Sequence, residues 1–288
     1  MSRTIRIGVL VLAVLALAGL IVPFIIHSRV KSDRVRCEDH LRELGLIGVQ
    51  HASPPGQGLP TRPRDELPPG TFLNPTLSPD RRMSWYAYLL NVFNEGPVTT
   101  DPTAKHRKPV GLAEALQGFA AKEPWDAPAN TPLANYRLKV AICPAQFREL
   151  PADSHVLSNY IANGGIGLDT PGLTFEQAGK RGGAYRYDGP TPLKAFTDGL
   201  RQTAQFLETN ENLAPWLQGG PGTLRALDPA NSPFLGLGRP FGGCHPGGMY
   251  ASMADGSVQF IKETIEPAIF QALLTRAGGL DEVNFDAP

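Results

Sequence analysis

The feature that most constrains this chain is an uninterrupted apolar segment near its N-terminus. Residues Ile7 to Ile26 read IGVLVLAVLALAGLIVPFII and contain no charged side chain. At ~1.5 Å per residue, an α-helix over this run is about 30 Å long, which matches the hydrocarbon core of a bilayer. The run therefore predicts a transmembrane helix over residues 7–26, with the lipid bilayer as the first partner of the chain.

A cleaved signal peptide is the alternative interpretation of the same segment. Its apolar region is shorter, roughly 7–15 residues, and it ends at a small-residue cleavage site. Ala16-Leu17-Ala18 resembles such a site, but apolar residues continue beyond it as far as Ile26. We therefore expect a retained anchor that follows a short N-terminal tail, residues 1–6.

Helical periodicity continues beyond the apolar run. Cys37, Leu41, Leu44 and Gly48 recur at the spacing of one helix face, and charged residues occupy the other positions. The prolines after Ser53 predict the end of the helix. The sequence thus predicts one helix from about Arg6 to His51, with residues 27–52 as the continuation of the anchor. Pro23 should bend it.

Residues 53–288 should form the globular head. The chain contains 31 glycines and 28 prolines, which predicts many turns and long connections. We expect an α+β fold with an antiparallel β-sheet packed on the helix. Helices are predicted at 84–93, 111–121 and from Pro267, strands at 138–143, 155–162 and 205–209, and Gly/Pro-rich loops at 164–192 and 219–240.

Composition and motifs argue against several functional classes. Lys plus Arg and Asp plus Glu both number 27, so no basic face predicts nucleic-acid binding. The three cysteines show no zinc-ligand spacing. No nucleophile elbow, zincin, P-loop or dinucleotide motif occurs, so we expect neither an enzyme nor a cofactor. Ca²⁺ held by the loop residues Asp169, Asp188 and Asp198 is the alternative, although Asp in turns is the commoner explanation.

The segment HPGGMYASMADGSVQFI, from His245 to Ile261, predicts a β-hairpin. Asp255-Gly256 between two alternating runs favours a two-residue type I′ turn. That turn would pair Met253 with Val258 and Ala251 with Phe260 on an apolar face. The opposite face would then be mostly polar.

The same segment places a histidine ahead of an aspartate, which raises the question of a catalytic or metal-binding pair. In a hairpin, however, Asp255 lies at the tip, five residues or about 17 Å from the far end of its strand. His245 lies beyond that end, so the two side chains should be too far apart to touch. We therefore expect His245, Gly247, Gly248, Asp255 and Gly256 to be structural. His245 should bond to loop backbone or side chains.

Several blocks of the chain, in order, resemble the prepilin-like family of planctomycete-type bacteria, a domain of unknown function known by a C-terminal H-x9-DG motif. Here the motif is His245 followed after nine residues by Asp255-Gly256. The other matching blocks are RCEDHLRELGLIGVQHA, RMSWYAYLLNVF, ICPAQ, SNYIANGG, TDGLRQTAQFLET, HPGG, ADGSVQFI and LTRAGG.

The resemblance implies a type IV pilin-like fold and other pilin-like subunits as partners. It also implies a disulfide between Cys37 and Cys143, which match cysteines of the family, and a head on the exported side of the inner membrane. The basic residues after the apolar run favour the opposite orientation, but this rule weakens for large following domains. The prepilin peptidase site and its following Glu are missing, which favours a fixed anchor over a filament subunit.

These observations predict a non-enzymatic, membrane-anchored, pseudopilin-like surface or envelope protein, which is a minor component of a secretion or pilus-type assembly. The alternative is an anchored binding module. In that case the loops 164–192 and 219–240 would recognise carbohydrate, peptide or Ca²⁺, since loops on a rigid scaffold commonly carry recognition.

Overall fold

The N-terminal helix is a single element of the computed structural model, which describes residues 3–52, 65–90, 112–146 and 155–278. Helix α1 runs from Arg3 to Ala52 with Pro23 inside it, which confirms the predicted length. It is the one helix in these ranges that is long and apolar enough to cross a membrane. The candidate span lies within Val14–Val49 and has a mean hydropathy of 1.6.

The two halves of α1 have different surroundings. In the first half the large apolar side chains that the structure describes are exposed, for example Leu12 at 68% and Phe24 at 73%. In the second half Cys37, Leu41 and Leu44 are fully buried against the head, as the helical spacing predicted.

The head is built from short elements. The remaining helices are α2 (Tyr86–Leu89), α3 (Leu112–Ala115), α4 (Thr131–Ala134), α5 (Phe175–Ala178) and α6 (Pro267–Leu274). The strands are β1 (Glu66–Leu67), β2 (Tyr160–Ile166), β3 (Thr191–Pro192), β4 (Ala204–Glu208), β5 (Leu224–Leu227), β6 (Gly248–Met253) and β7 (Val258–Lys262). Short 3-10 helices cover 79–81, 128–130, 139–141, 170–172, 179–181 and 193–195.

The main sheet is mixed, which corrects the expectation of a purely antiparallel one. Its strand order is β5-β2-β4-β6-β7, and β1 and β3 form a separate antiparallel pair. Strand β5 pairs with β2 in the parallel direction, while the other neighbours are antiparallel. Strand β5 lies in the region 219–240 that its glycines and prolines had marked as a loop.

The predicted elements of the head agree with the structure to different degrees. Strand β4 and helix α6 lie where they were predicted, and β2 begins later than expected, at Tyr160. The helices predicted at 84–93 and 111–121 are each one turn long in the described residues, and 91–111 lie outside them. The strand predicted at 138–143 is wrong. This segment forms a 3-10 turn because its backbone groups bond to Asn159 rather than to a strand.

The C-terminal hairpin exists, but its turn and register differ from the prediction. Its loop has three residues, Ala254 to Gly256: the Met253 N–H donates to the Ser257 carbonyl at 2.8 Å, and the Gly256 N–H donates to the Met253 carbonyl at 2.9 Å. Gly256 alone in this loop has a positive φ, +85°. A type I′ turn needs two such residues, whereas a three-residue loop ending in a left-handed glycine needs one.

The longer loop shifts every strand partner by one residue. Met249 pairs with Ile261, Tyr250 with Phe260 and Ala251 with Gln259. Phe260 therefore moves to the α1 side of the sheet, where the guanidinium of Arg34 lies 5.3 Å from its ring centroid. Asp255 stabilises the loop, since its Oδ1 accepts from both the backbone N–H and the hydroxyl of Ser257.

Both faces of the sheet are covered, so the expected polar face is not exposed to solvent. On one face α1 packs with an aromatic core that includes Trp85, Phe206 and Trp216. On the other, α6 packs against the apolar hairpin residues, among them Met249 and Ala251. The polar Ser252 is fully buried beneath α1, next to Gly45, which has no side chain to fill that space.

Candidate functional site

A buried group of chemically reactive side chains lies between the second half of α1 and the sheet. The contributing residues are Cys37 on α1, Cys143 after the 3-10 turn, Glu208 at the end of β4 and His245 before β6. One ligand atom from each of the four lies within 4.8 Å of all the others. We call this group the Cys-His-Glu cluster.

The two cysteines of the cluster form a disulfide, with Cα atoms 5.5 Å apart. This is the pair that the family resemblance implied. The Cys143 backbone N–H donates to Oδ1 of the buried Asn159, which holds the segment in place beneath α1. The bridge thus ties the long helix to the head across 106 residues of sequence.

Glu208 is positioned by the sheet and by a glycine. Its Oε2 accepts from the Tyr250 backbone N–H at 2.8 Å. A Cβ atom at Gly243 would lie 2.2 Å from the same oxygen, so the carboxyl group can occupy this position only beside a glycine. Its other oxygen, Oε1, accepts no hydrogen bond from any described residue and is buried.

His245 faces this free carboxyl oxygen and the disulfide. Its Nε2 lies 3.7 Å from Glu208 Oε1 and 3.6 Å from Cys143 Sγ. The side chains of His245 and Glu208 are each only 1% exposed. A tight turn with Gly247 at φ +85° directs the histidine inward. Bonding of His245 to loop backbone or side chains was predicted, and the structure places its ring beside a strand carboxyl group and a sulfur.

Burial sets the protonation of this pair. Desolvation raises the pKa of Glu208 to about 8, and the Tyr250 N–H and Arg34 lower it only in part. Desolvation, together with the nearby positive charge of Arg34, lowers the pKa of His245 to about 4. Near neutral pH the carboxyl group of Glu208 is therefore protonated and the imidazole of His245 is neutral, so the pair carries no net charge.

Arg34 of α1 closes the cluster on the side toward the membrane half of the helix. Its Nη2 donates to the Pro246 carbonyl at 2.6 Å, next to His245. An open cleft of ≈ 520 Å³ lies beside the cluster. Its lining includes His245 itself, Cys244, Gln146, Asn210 and Glu263. Of the four cluster residues, His245 is the one that lines the cleft.

The structure separates the two ends of the H-x9-DG motif. His245 belongs to the cluster at the start of β6, whereas Asp255 and Gly256 form the hairpin loop at the other end of that strand. Gly256 packs next to Gly45 and Leu46 of α1. His245 and Asp255 thus have different partners, as the hairpin geometry had indicated.

The aspartates that raised the alternative of a calcium site are dispersed. Asp169 forms a two-bond ion pair with Arg181, Asp188 pairs with Arg82, and Asp198 accepts from the Gly278 N–H. Each therefore has its own protein partner in the described part of the chain.

The sequence did not indicate the Cys-His-Glu cluster. Ligand-spacing rules detect residues close in sequence, and these four come from separate segments. The available signal was a glutamate at the end of the strand-like segment QFLE, where a charged side chain is unusual. Neither sequence pattern nor composition identifies its partner.

Comparison with models of known protein families, with curated proteins and with solved structures finds no match to the chain. The family resemblance therefore stays an expectation, and the function must be argued from the geometry.

Proposed function

We propose that this chain is a non-enzymatic, single-pass membrane protein with a pilin-like head on the exported side of the bacterial cytoplasmic membrane. The observation that carries the proposal is the division of α1. Its first half is apolar on all sides by sequence and exposes the large apolar side chains that the structure describes, while one face of its second half is buried on the sheet. A helix that is apolar all round needs an apolar solvent, which the bilayer supplies.

The disulfide supports export of the head. Disulfides persist in oxidising compartments and are rare in the bacterial cytoplasm. The Cys37–Cys143 bridge joins the second half of α1, beyond the apolar run of residues 7–26, to the head, so the head and this half of the helix share one compartment. Basic residues that follow the apolar run, such as Arg29 and Lys31, favour the reverse orientation under the positive-inside rule. This rule is weak when a large domain follows the helix.

We further propose that the protein acts as a minor, anchored component of a secretion or pilus-type assembly. The absence of an acidic residue at the start of the apolar run favours a lone anchor, because an unpaired Glu in lipid is costly. The head and the second half of the helix would then contact other pilin-like subunits at the membrane surface.

The test is a pair of reporters fused after Pro288, one active only outside the cytoplasm and one active only inside it. We expect activity from the first reporter, a protein that alkaline carbonate does not release from membranes, and an N-terminus that retains the residues before Gly19. Activity from the cytoplasmic reporter alone contradicts the orientation. A mature chain that begins at Gly8 or Gly19 contradicts the retained anchor.

The cleft supports a second candidate, an anchored binding module. Its polar lining, which includes Asn210 and Glu263, suits a small polar ligand such as a carbohydrate. Thermal shift of the purified protein against an oligosaccharide panel tests this candidate. A shift that is lost in Asn210→Ala but kept in Asp255→Asn, far from the cleft, supports it, and no shift with any oligosaccharide removes it.

A further inference from the structure

The Cys-His-Glu cluster has the donor set of a metal site. Two sulfurs, an imidazole nitrogen and a carboxyl oxygen converge within 4.8 Å from four separate segments. Thiolate, imidazole and carboxylate are the ligands that Zn²⁺ takes in proteins, four at a time and in tetrahedral geometry. In the disulfide form the two sulfurs are neutral and bonded to each other, so only His245 and Glu208 can donate.

An independent observation also points to a ligand at this position. Glu208 Oε1 is buried and accepts no hydrogen bond from any described residue, yet it faces His245 Nε2 at 3.7 Å. A buried carboxyl oxygen without a partner is costly, and a cation between these two atoms would satisfy both. The turn at Gly247 and the missing side chain of Gly243 hold both groups in this orientation.

We propose that the reduced form of this protein binds one Zn²⁺ through Cys37, Cys143, His245 and Glu208, and that formation of the Cys37–Cys143 disulfide abolishes the site. The cluster is thus a redox-gated zinc site beneath the long helix. This proposal is independent of the orientation of the head and of its assembly partners.

The reaction balances with a thiol or phosphine as the reductant. The Cys37–Cys143 bond accepts two electrons and two protons to give two thiols, and the reductant is oxidised either to its own disulfide or, for a phosphine, to the phosphine oxide with water as the source of the oxygen. Zinc then replaces the two thiol protons and the proton of the Glu208 carboxyl group, and all three protons leave to solvent. Zn–S bonds of about 2.3 Å hold two thiolates about 3.8 Å apart, a separation that rotation of the two cysteine side chains can reach.

The net charge of the filled site and the position of the cleft are both compatible with a bound Zn²⁺. Two thiolates, one carboxylate and one Zn²⁺ sum to a single negative charge, and the guanidinium of Arg34, which donates to Pro246 next to His245, lies close enough to offset it. His245 lines the open cleft, as do Ala145 and Gln146 just after Cys143, and because the side chains of His245 and Glu208 are only 1% exposed, an ion enters from the cleft through a local opening.

The experiment uses the full chain in detergent micelles, reduced with a phosphine in metal-free anaerobic buffer and titrated with Co²⁺. We expect one Co²⁺ per chain, sulfur-to-cobalt charge-transfer bands, the visible bands of tetrahedral cobalt, and displacement by Zn²⁺. Zinc should also raise the melting temperature of the reduced protein. The disulfide form should show none of these effects.

Variants assign the ligands. Glu208→Gln and His245→Gln should each weaken Co²⁺ binding by roughly 100-fold or more, since even outer-shell changes cost about 10–100-fold. Cys244→Ser is the matched control, because Cys244 lines the cleft beside His245 but is not a member of the cluster, and its binding should equal that of the parent. Glu208→Gln keeps an oxygen for the Tyr250 N–H and so preserves the fold.

Three results overturn the proposal. The first is a reduced chain that binds no Co²⁺, or that is unfolded and does not refold with zinc. The second is tetrahedral cobalt that persists when Cys37 and Cys143 are both changed to Ser. The third is loss of binding in Cys244→Ser with no effect of Glu208→Gln.

Discussion

The two halves of α1 share one backbone helix but differ in what surrounds them. Around Gly19 a new side chain would meet no other atom within 4 Å, whereas at Gly45 it would lie 2.0 Å from the hydroxyl oxygen of the buried Ser252. The first half is apolar in every direction, and the second has a single buried face with charged residues on the remainder.

This difference is the one expected of a helix shared between two environments. In an apolar environment such as lipid, apolar side chains suffice and no specific contact is required. Where the environment is a folded head, the sequence needs small residues at close contacts, a covalent link and partners for buried polar groups. Substitutions on the buried face of the second half should therefore lower the stability of the head, while matched substitutions in the first half should leave it unchanged.

The largest expected effect is loss of the disulfide. The double variant Cys37→Ala/Cys143→Ala should lower the free energy of unfolding by ~4–5 kcal/mol, because the bridge closes a loop of 106 residues. Chemical denaturation in detergent measures this loss, and Cys244→Ala should change stability by less than about 0.5 kcal/mol. Equal stability of the double variant and the parent contradicts a structural role for the bridge.

A smaller loss of stability, specific to the second half of α1, should follow from placing a large side chain where the helix and the sheet are in close contact. Gly45→Leu should destabilise the head by ~2–3 kcal/mol, because its side chain must displace Ser252 and the hairpin backbone near Gly256. Gly19→Leu is the matched control and should leave the denaturation midpoint of the head unchanged. Similar losses in both variants would falsify the division of the helix into two environments.

The pH dependence of stability tests how completely Glu208 and His245 are desolvated beneath the second half of α1. The measurement uses the disulfide form with a chelator present. Glu208, with its pKa raised to about 8, holds a proton in the folded state that it loses near 4.3 when unfolded, so stability falls as pH rises between these values. His245, with its pKa lowered to about 4, acts oppositely below about 6.5. Between pH 6.5 and 8 the deprotonation of folded Glu208 outweighs the remaining opposite contribution of His245, so the free energy of unfolding should fall by about 1 kcal/mol.

In Glu208→Gln this decrease between pH 6.5 and 8 should disappear, because the amide does not titrate. Denaturation midpoints of parent and variant at the two pH values give the comparison. A variant that keeps the full decrease assigns the titration to another group.

The smallest loss of stability is expected from a substitution on the exposed face of the second half of α1. Arg42 pairs with Glu38 at 2.5 Å and with Asp39 at 3.3 Å, and its side chain is 48% exposed. Arg42→Ala should therefore cost no more than ~0.5 kcal/mol, and added salt should reduce this cost. A loss above about 1 kcal/mol would place Arg42 among the residues that hold the helix to the head.

The local features of this chain were predictable because their signals are contained in short segments. The length of α1, its buried face at Cys37, Leu41 and Leu44, and helix α6 follow from hydrophobic periodicity and from proline and glycine positions. The hairpin was also predictable as an element. Its register was not, because a three-residue loop and a two-residue loop both accept Asp-Gly, and in the loop observed Asp255 accepts hydrogen bonds from Ser257.

The sequence by itself determined that the chain has one long helix, apolar in its first half and amphipathic in its second, and that a compact α+β head follows it. Only the tertiary structure decided that β5 joins β2 in parallel and that Glu208 and His245 meet beside the Cys37–Cys143 bridge. The physical reason is the range of the forces involved. Periodicity and turn chemistry act within a few residues, whereas the Cys-His-Glu cluster depends on packing that brings residues from 37 to 245 into one buried volume.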